Sequence, residues 1–182
     1  RKIFMSLANL VSKYNPLAIL RRKRMRKQLV NKTPTFLCPN CIGGIMFHDL
    51  GLQFRSPTVN LMMFQNDFVK LVLDLDGYLS KELNFYKDQD YNCPCARLGD
   101  ITIHFTHYAT EEEARRKWIE RSSRIDKDNL FVFLTERDGI TESEIRSLGS
   151  LSARGLVVFT ANEYKDIYKE YKIKEQKIMN TF

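Results

Sequence analysis

Ile101, Ile103 and Phe105 alternate with Thr102, His104 and Thr106, the period of a half-buried strand. Upstream, Phe68, Leu71, Val72, Leu75 and Leu79 recur at helical spacing, which predicts a helix over 67–83. Thr110 followed by Glu113 has the form of a capping box. It opens a helix to about Arg124, with Ala114, Trp118, Ile119 and Ile125 as expected buried anchors. The run Leu130–Leu134 is continuously apolar, as in a central strand. Thr141 with Glu144 begins another helix, Gly155–Phe159 forms the next strand, and Asn162 precedes a last helix. Thr35–Cys38 is a short buried strand; Cys41–Leu50 reads as a helix stopped by Gly51. Residues 84–97 are polar and irregular. Alternating strands and helices predict an α/β fold, a mainly parallel or mixed sheet flanked by helices. The expected organisation is a single domain, 34–182, behind a basic helical N-terminal arm, 1–33, broken near Pro16.

The 182 residues suffice for a substantial core without disulfide or metal staples. Charge changes the picture more than composition does. Residues 1–48 hold ten of the 29 Lys and Arg and no Asp or Glu, which leaves 19 basic against 22 acidic residues in the remaining chain. The net charge of +7 therefore belongs to the arm, chiefly to Arg21, Arg22, Lys23, Arg24, Arg26 and Lys27. Two readings stay open: a solvated helix face, or attachment to an anionic membrane surface, with Ile3, Phe4, Leu7, Leu10, Val11 and Tyr14 preceding the charges. Nucleic acid is not the expected partner, because no aromatic-interleaved basic platform accompanies the cluster. No apolar stretch approaches the roughly 18 to 20 residues that span a bilayer. Lys13 and Asn15 interrupt the apolar front, so a signal peptide is not expected. The expected location is cytoplasmic, peripheral at the inner face of the membrane if the arm attaches there.

The four cysteines form two pairs, Cys38-Pro39-Asn40-Cys41 and Cys93-Pro94-Cys95. Four thiolates could bind zinc, but the usual two-residue spacing occurs once. A Cys-x-x-Cys between strand and helix is also the thioredoxin arrangement, without its aromatic flank. The third reading is a single reactive thiol at Cys41, where a strand feeds a helix N-terminus. Helix-end N–H groups favour an anion there, and Gly43 and Gly44 would let a substrate approach the backbone. A thiol nucleophile needs a base; His107, or alternatively His104, is the candidate. A buried cysteine beside close-packed glycines is the ordinary structural alternative. Neither a cofactor nor a resident metal is expected.

Asn40-Cys41-Ile42-Gly43-Gly44, His48-Asp49-Leu50-Gly51-Leu52 and Ser56-Pro57-Thr58-Val59-Asn60-Leu61 form one block. A second runs from Leu98-Gly99-Asp100-Ile101 through His104-Phe105, His107-Tyr108, Glu113-Ala114, Lys117-Trp118 and Arg121 to Asp128-Asn129-Leu130-Phe131-Val132. Together, over about residues 36–163, they resemble the bacterial exopolysaccharide-biosynthesis proteins of unknown biochemical activity. The order of Asn-Cys, Ser-Pro and a later His is also distantly similar to papain-like cysteine enzymes. Cys38, Cys93 and Cys95 fall outside these patterns.

The resemblance implies a role in capsule or exopolysaccharide assembly. In its sharpest form this is a transferase that modifies a saccharide, acting on an activated-sugar or acyl donor. Cys41 would be the nucleophile and His107 the base, with Asn40 helping to hold an oxyanion and Asp100 orienting a histidine. Gly43, Gly44, Ser56, Arg55 and Arg121 are the expected substrate contacts. The competing expectation is a non-catalytic accessory protein docked to membrane-bound assembly machinery through its arm.

Overall fold

The computed structural model describes residues 15–160. The expected last helix after Asn162 and the apolar residues at 3–14 lie outside that range. Two three-stranded sheets and six α-helices make up the described α/β domain.

The first sheet is parallel. Strands β1 (Thr35–Leu37), β5 (Leu130–Thr135) and β6 (Gly155–Phe159) lie in the order β1-β5-β6. Phe36 is in register with Phe131, and Val132 with Leu156. Alternation along β5 divides its side chains between two apolar layers. Leu130, Val132 and Leu134 enter the main core with Leu37. Phe131 and Phe133 turn to the other face, where Phe36 packs on Phe47 with ring centroids 4.8 Å apart. Phe47 belongs to α2 (Ile42–Leu50), so this aromatic layer holds the helix that follows β1 onto the sheet. Gly51, with φ of 67°, ends α2 in the left-handed conformation.

The second sheet is antiparallel: β2 (Asn84–Tyr86), β3 (Cys95–Leu98) and β4 (Ile101–His104). The expectation for 84–97 was wrong in part, because β2 and β3 occur there. Each strand is three or four residues long, too short for a periodicity to emerge from its polar surroundings. The half-buried strand at 101–105 therefore belongs to this hairpin and not to the parallel sheet. The long helix expected over 67–83 divides at Asp74 into α3 (Gln65–Leu73) and α4 (Leu75–Leu79). Asp74 leaves helical geometry, and its carboxylate accepts the Gly77 N–H at 3.1 Å, an N-cap inside an otherwise helical pattern.

Helix α5 spans Glu111–Ser122. Thr110 accepts the Glu113 N–H, while the Glu113 carboxylate takes the Ala109 N–H, one residue earlier than a capping box requires. Ala114 and Trp118 are buried as expected; Ile119 is 62% exposed. The short α6 (Glu142–Ser147) carries the full reciprocal cap between Thr141 and Glu144. In the arm, α1 (Pro16–Gln28) buries no residue. Its Arg26 donates to the carbonyls of His48 and Asp49, and Arg22 pairs with Asp49, so the arm caps the C-terminal end of α2.

Asp100 sits in the β3–β4 turn, where it receives the Tyr78 hydroxyl at 2.6 Å and Lys70 Nζ at 2.9 Å. It ties the α3–α4 pair to the hairpin. These two donors, Tyr78 first, hold its carboxyl at about 2, below its ordinary 3.8. A depressed folded-state value stabilises the fold above the unfolded value and loses that contribution as pH falls from about 4 to about 2. The stability deficit of Asp100→Asn in urea unfolding is therefore expected to be constant near neutral pH and to close towards pH 2. An undiminished deficit at pH 2 would contradict this role.

Candidate functional site

The chain leaves β1 through Cys38 and turns at Pro39 and Asn40 into α2, whose N-cap is Cys41. Asn40 Oδ1 accepts the Ile42 N–H at 3.0 Å, so its side chain fixes the first turn of the helix. Cys41 is partly exposed, and its Sγ lies 3.0 Å from His107 Nε2 and 3.9 Å from Thr106 Oγ1. His107 is exposed and stands just beyond the end of β4. The thiol belongs to the C-terminal end of a parallel strand, and the imidazole to the antiparallel sheet.

Sixty-six positions separate these two residues, and the segment 56–63 closes the gap. The Thr58 hydroxyl accepts the Cys38 N–H, and Met63 N–H donates to the Pro39 carbonyl, which fixes both sides of the approach to Cys41. Met62 exchanges two backbone hydrogen bonds with His104, an isolated antiparallel bridge that ties the segment to the last residue of β4. The Val59 carbonyl accepts from both the Tyr108 hydroxyl and the Arg121 guanidinium. Asn60 adopts φ of 64° and lies against the first turn of α2. One short run of backbone thus holds the thiol-bearing and imidazole-bearing elements together.

The other expected site residues fall into place around this segment. Ser56 is fully buried and hydrogen-bonds Thr58, and Arg121 is 7% exposed with Nη1 donating to the Val59 carbonyl and the Tyr108 hydroxyl. Both were expected to touch substrate; burial makes them supports behind the site. Arg55 is half-buried with an unpartnered Nε. The alternative base His104 is 2% exposed, under Tyr91, while His107 is the imidazole at Cys41. Asp100 does not orient either histidine. It precedes β4, about 13 Å along the strand from His104 at an extended rise of ~3.3 Å per residue.

Gly43 and Gly44 serve close packing. A Cβ on Gly43 would stand 3.1 Å from Cys38 Sγ, and one on Gly44 only 2.5 Å from Asn60 Oδ1. Cys38 is wholly enclosed, and burial pushes its thiol up to about 12. It faces the core beneath α2 while Cys41 faces His107, an arrangement that suits neither a redox pair nor a shared four-thiolate ligand set. Burial also raises Cys93, and it pushes Cys95 up to about 12.

An open groove of about 1110 Å³ lies between the 86–94 segment and residues 108–112; neither Cys41 nor His107 lines it. Tyr86, Tyr91, Glu111 and Glu112 give it aromatic faces and carboxylates.

The model of the domain of unknown function DUF1919 matches residues 13–182. The chain belongs to the DUF1919 family. A Haemophilus influenzae protein named only as uncharacterized is 38% identical over 152 residues, 84% of this chain and 73% of that protein. The large ribosomal subunit protein uL10 of Mycoplasma mobile is 28% identical over 143 residues, 70% of this chain and 75% of that protein. The family description assigns no reaction, so the chemistry of this DUF1919 protein must be argued from its own side chains.

Sequence reasoning did not find the supporting role of Thr58, Met62, Met63 and Tyr108. Thr58 and Tyr108 stand inside the motif blocks quoted above, but hydrogen bonds to backbone N–H and carbonyl groups leave no periodic trace. Gly44→Ala is expected to destabilise the fold by about 1–3 kcal/mol, the usual range for overpacking. The reason is that Asn60, in its left-handed conformation, has little freedom to retreat. Urea unfolding measures this, with Gly43→Ala the milder change because Cys38 Sγ stands farther off. Equal, negligible effects would contradict the close packing of α2 on 58–63.

Proposed function

We propose that this DUF1919 protein is a cysteine-dependent acyl transferase that modifies a saccharide in capsule or exopolysaccharide assembly. The observation that carries the reading is the 3.0 Å contact between Cys41 Sγ and His107 Nε2, at a helix N-terminus and open to solvent. A thiol, a base in hydrogen-bond reach and first-turn amides that favour an anion are the components of acyl transfer through a thioester.

In the first half-reaction His107 Nε2 takes the Cys41 proton and Sγ attacks the acyl carbon of an activated donor. The S–C bond forms, the bond to the leaving group breaks, and His107 returns the proton to that group. In the second half the acceptor hydroxyl gives its proton to His107 and its oxygen attacks the thioester. The S–C bond breaks, and Cys41 recovers the proton. Asn40 Oδ1 holds the helix turn that carries the amides, and its Nδ2 offers two N–H donors to an oxyanion. The groove lined by Tyr86, Tyr91, Glu111 and Glu112 suits a saccharide acceptor, whose apolar ring faces stack on tyrosines and whose hydroxyls donate to carboxylates.

The arm supports peripheral attachment. Arg21, Lys23, Arg24 and Lys27 are exposed, while Leu17 and Leu20 are 74% and 65% exposed. Arg21, Arg24 and Lys27 recur at i, i+3 and i+6 with Lys23 beside them, on the face of α1 away from the Arg22 and Arg26 that close α2. A face so dense in cations favours electrostatic adhesion over insertion. No helix among the described residues is long and apolar enough to cross a membrane.

Incubation with acetyl-CoA as the activated donor is expected to leave one acetyl group on Cys41, found by peptide mass spectrometry. His107→Ala should slow this by about 100-fold or more, the usual worth of a general base. Acetylation that spares Cys41, or that His107→Ala leaves unchanged, would overturn the acyl-transfer reading. A second expectation concerns the arm: replacing Arg21, Lys23, Arg24 and Lys27 by Glu should abolish binding to phosphatidylglycerol vesicles. Wild-type binding should weaken as salt shortens the Debye length to about 8 Å at 0.15 M; salt-independent binding would refute electrostatic attachment.

A further inference from the structure

Away from the thiol–imidazole contact, a second set of chemically capable side chains gathers where β3 meets β4. Cys95 and His104 are register partners across these antiparallel strands, and both are buried. The His104 ring is held by Tyr91, with centroids 4.0 Å apart, and by the edge of Phe64 at 5.9 Å. Its Nδ1 is buried and has no hydrogen-bond partner. Buried nitrogens are nearly always satisfied, so an orphan on a fixed ring points to a missing ligand. The donor atoms of Asp88, Cys95 and His104 all lie within 4.8 Å of one another.

We propose that Asp88, Cys95 and His104, with Cys93 as fourth ligand, bind a thiophilic divalent cation of the Zn²⁺ class. Zinc bonds of about 2.0–2.3 Å in a tetrahedron require donors roughly 3.3–3.8 Å apart. Closing the three donors onto an ion needs a contraction of up to about 1.5 Å, which movement of Asp88 on the irregular 87–94 loop towards the strand-borne Cys95 and His104 would supply. Cys93 precedes Cys95 by two residues, and Cys95 Sγ lies 3.5 Å from the Cys93 carbonyl, so the loop thiol is the nearest candidate to complete the set. Asp88 Oδ1 accepts the Asp90 N–H, which leaves its second oxygen for a metal. Two sulfurs, one imidazole and one carboxylate select zinc over magnesium or calcium. Asp88 and Cys93 also line the open groove, which gives the ion a path in.

The bound ion would clasp the 87–94 loop to the strand that leads to His107, and so set the shape of the groove wall. This role is independent of acyl transfer, and it needs neither Cys38 nor Cys41.

The test uses the full chain, reduced and stripped of metal, titrated with Co²⁺ and then Zn²⁺. One equivalent of Co²⁺ should produce the visible d–d bands and the thiolate charge-transfer band of a tetrahedral sulfur-ligated site. Zn²⁺ should bleach them, appear as one ion in native mass spectrometry and raise the Tm. Cys95→Ser and His104→Gln should lose the bands. Because these two positions are buried, Cys93→Ser and Asp88→Asn on the partly exposed loop are the second arm. Each should fold and weaken binding at least tenfold, the usual cost of disturbing a metal site. The proposal is overturned if Co²⁺ shows no thiolate band, if the loop variants bind as well as wild type, or if Cys41→Ser is what removes the metal.

Discussion

Residues 56–63 carry the constraint on which the site depends. This run spends backbone and hydroxyl groups on both sheets at once. Thr58 takes the Cys38 N–H, Met63 donates to Pro39, Met62 pairs with His104, and Val59 accepts from Tyr108 and Arg121. Each bond alone is modest, about 0.5–1.5 kcal/mol net for a neutral pair. Their joint effect is geometric: they fix the exit of β1 relative to the end of β4. Without that suture, a thiol on a parallel-sheet helix and an imidazole on an antiparallel hairpin would have no reason to meet. Arg121, buried, adds a second donor to the Val59 carbonyl and one to the Tyr108 hydroxyl, so it braces the same junction.

The aromatic layer of Phe36, Phe47, Phe131 and Phe133 makes the complementary contribution. It presses α2 onto the sheet, and Gly43 and Gly44 allow that approach without a Cβ. The helix start that presents Cys41 is therefore held from below by apolar packing and from the side by Asn60. Its far end is closed by Arg22 and Arg26 from the arm. A helix held at both ends positions its N-cap thiol without a hydrogen bond from the thiol to its own first turn.

Much of this was legible in the sequence, for identifiable reasons. The strands at 35, 101, 130 and 155 stand out because their apolar residues outnumber their neighbours or alternate with them. The pairing of Cys41 with His107 was expressed by glycines after a cysteine and by histidines at a strand end. Strands β2 and β3 were illegible because three or four residues cannot establish a period, and β3 itself mixes Cys, Ala, Arg and Leu. The break at Asp74 hid inside a good apolar helical pattern. Ser56 and Arg121 were assigned to substrate because polar residues in a distinctive motif suggest contact chemistry. The structure uses their polarity to satisfy buried backbone and hydroxyl groups. The Cys95–His104 neighbourhood required the hairpin register, which no sequence spacing reveals.

The central claim is that His107 activates the Cys41 thiol, and competitive alkylation tests it most directly. Native protein is exposed briefly to iodoacetamide, and the modified fraction of each of the four cysteines is counted by mass spectrometry. The account predicts that Cys41 reacts fastest and that His107→Gln brings it down to the level of the partly exposed Cys93. A Cys41 no faster than Cys93 in the wild-type protein, or a rate that His107→Gln leaves unchanged, would contradict it.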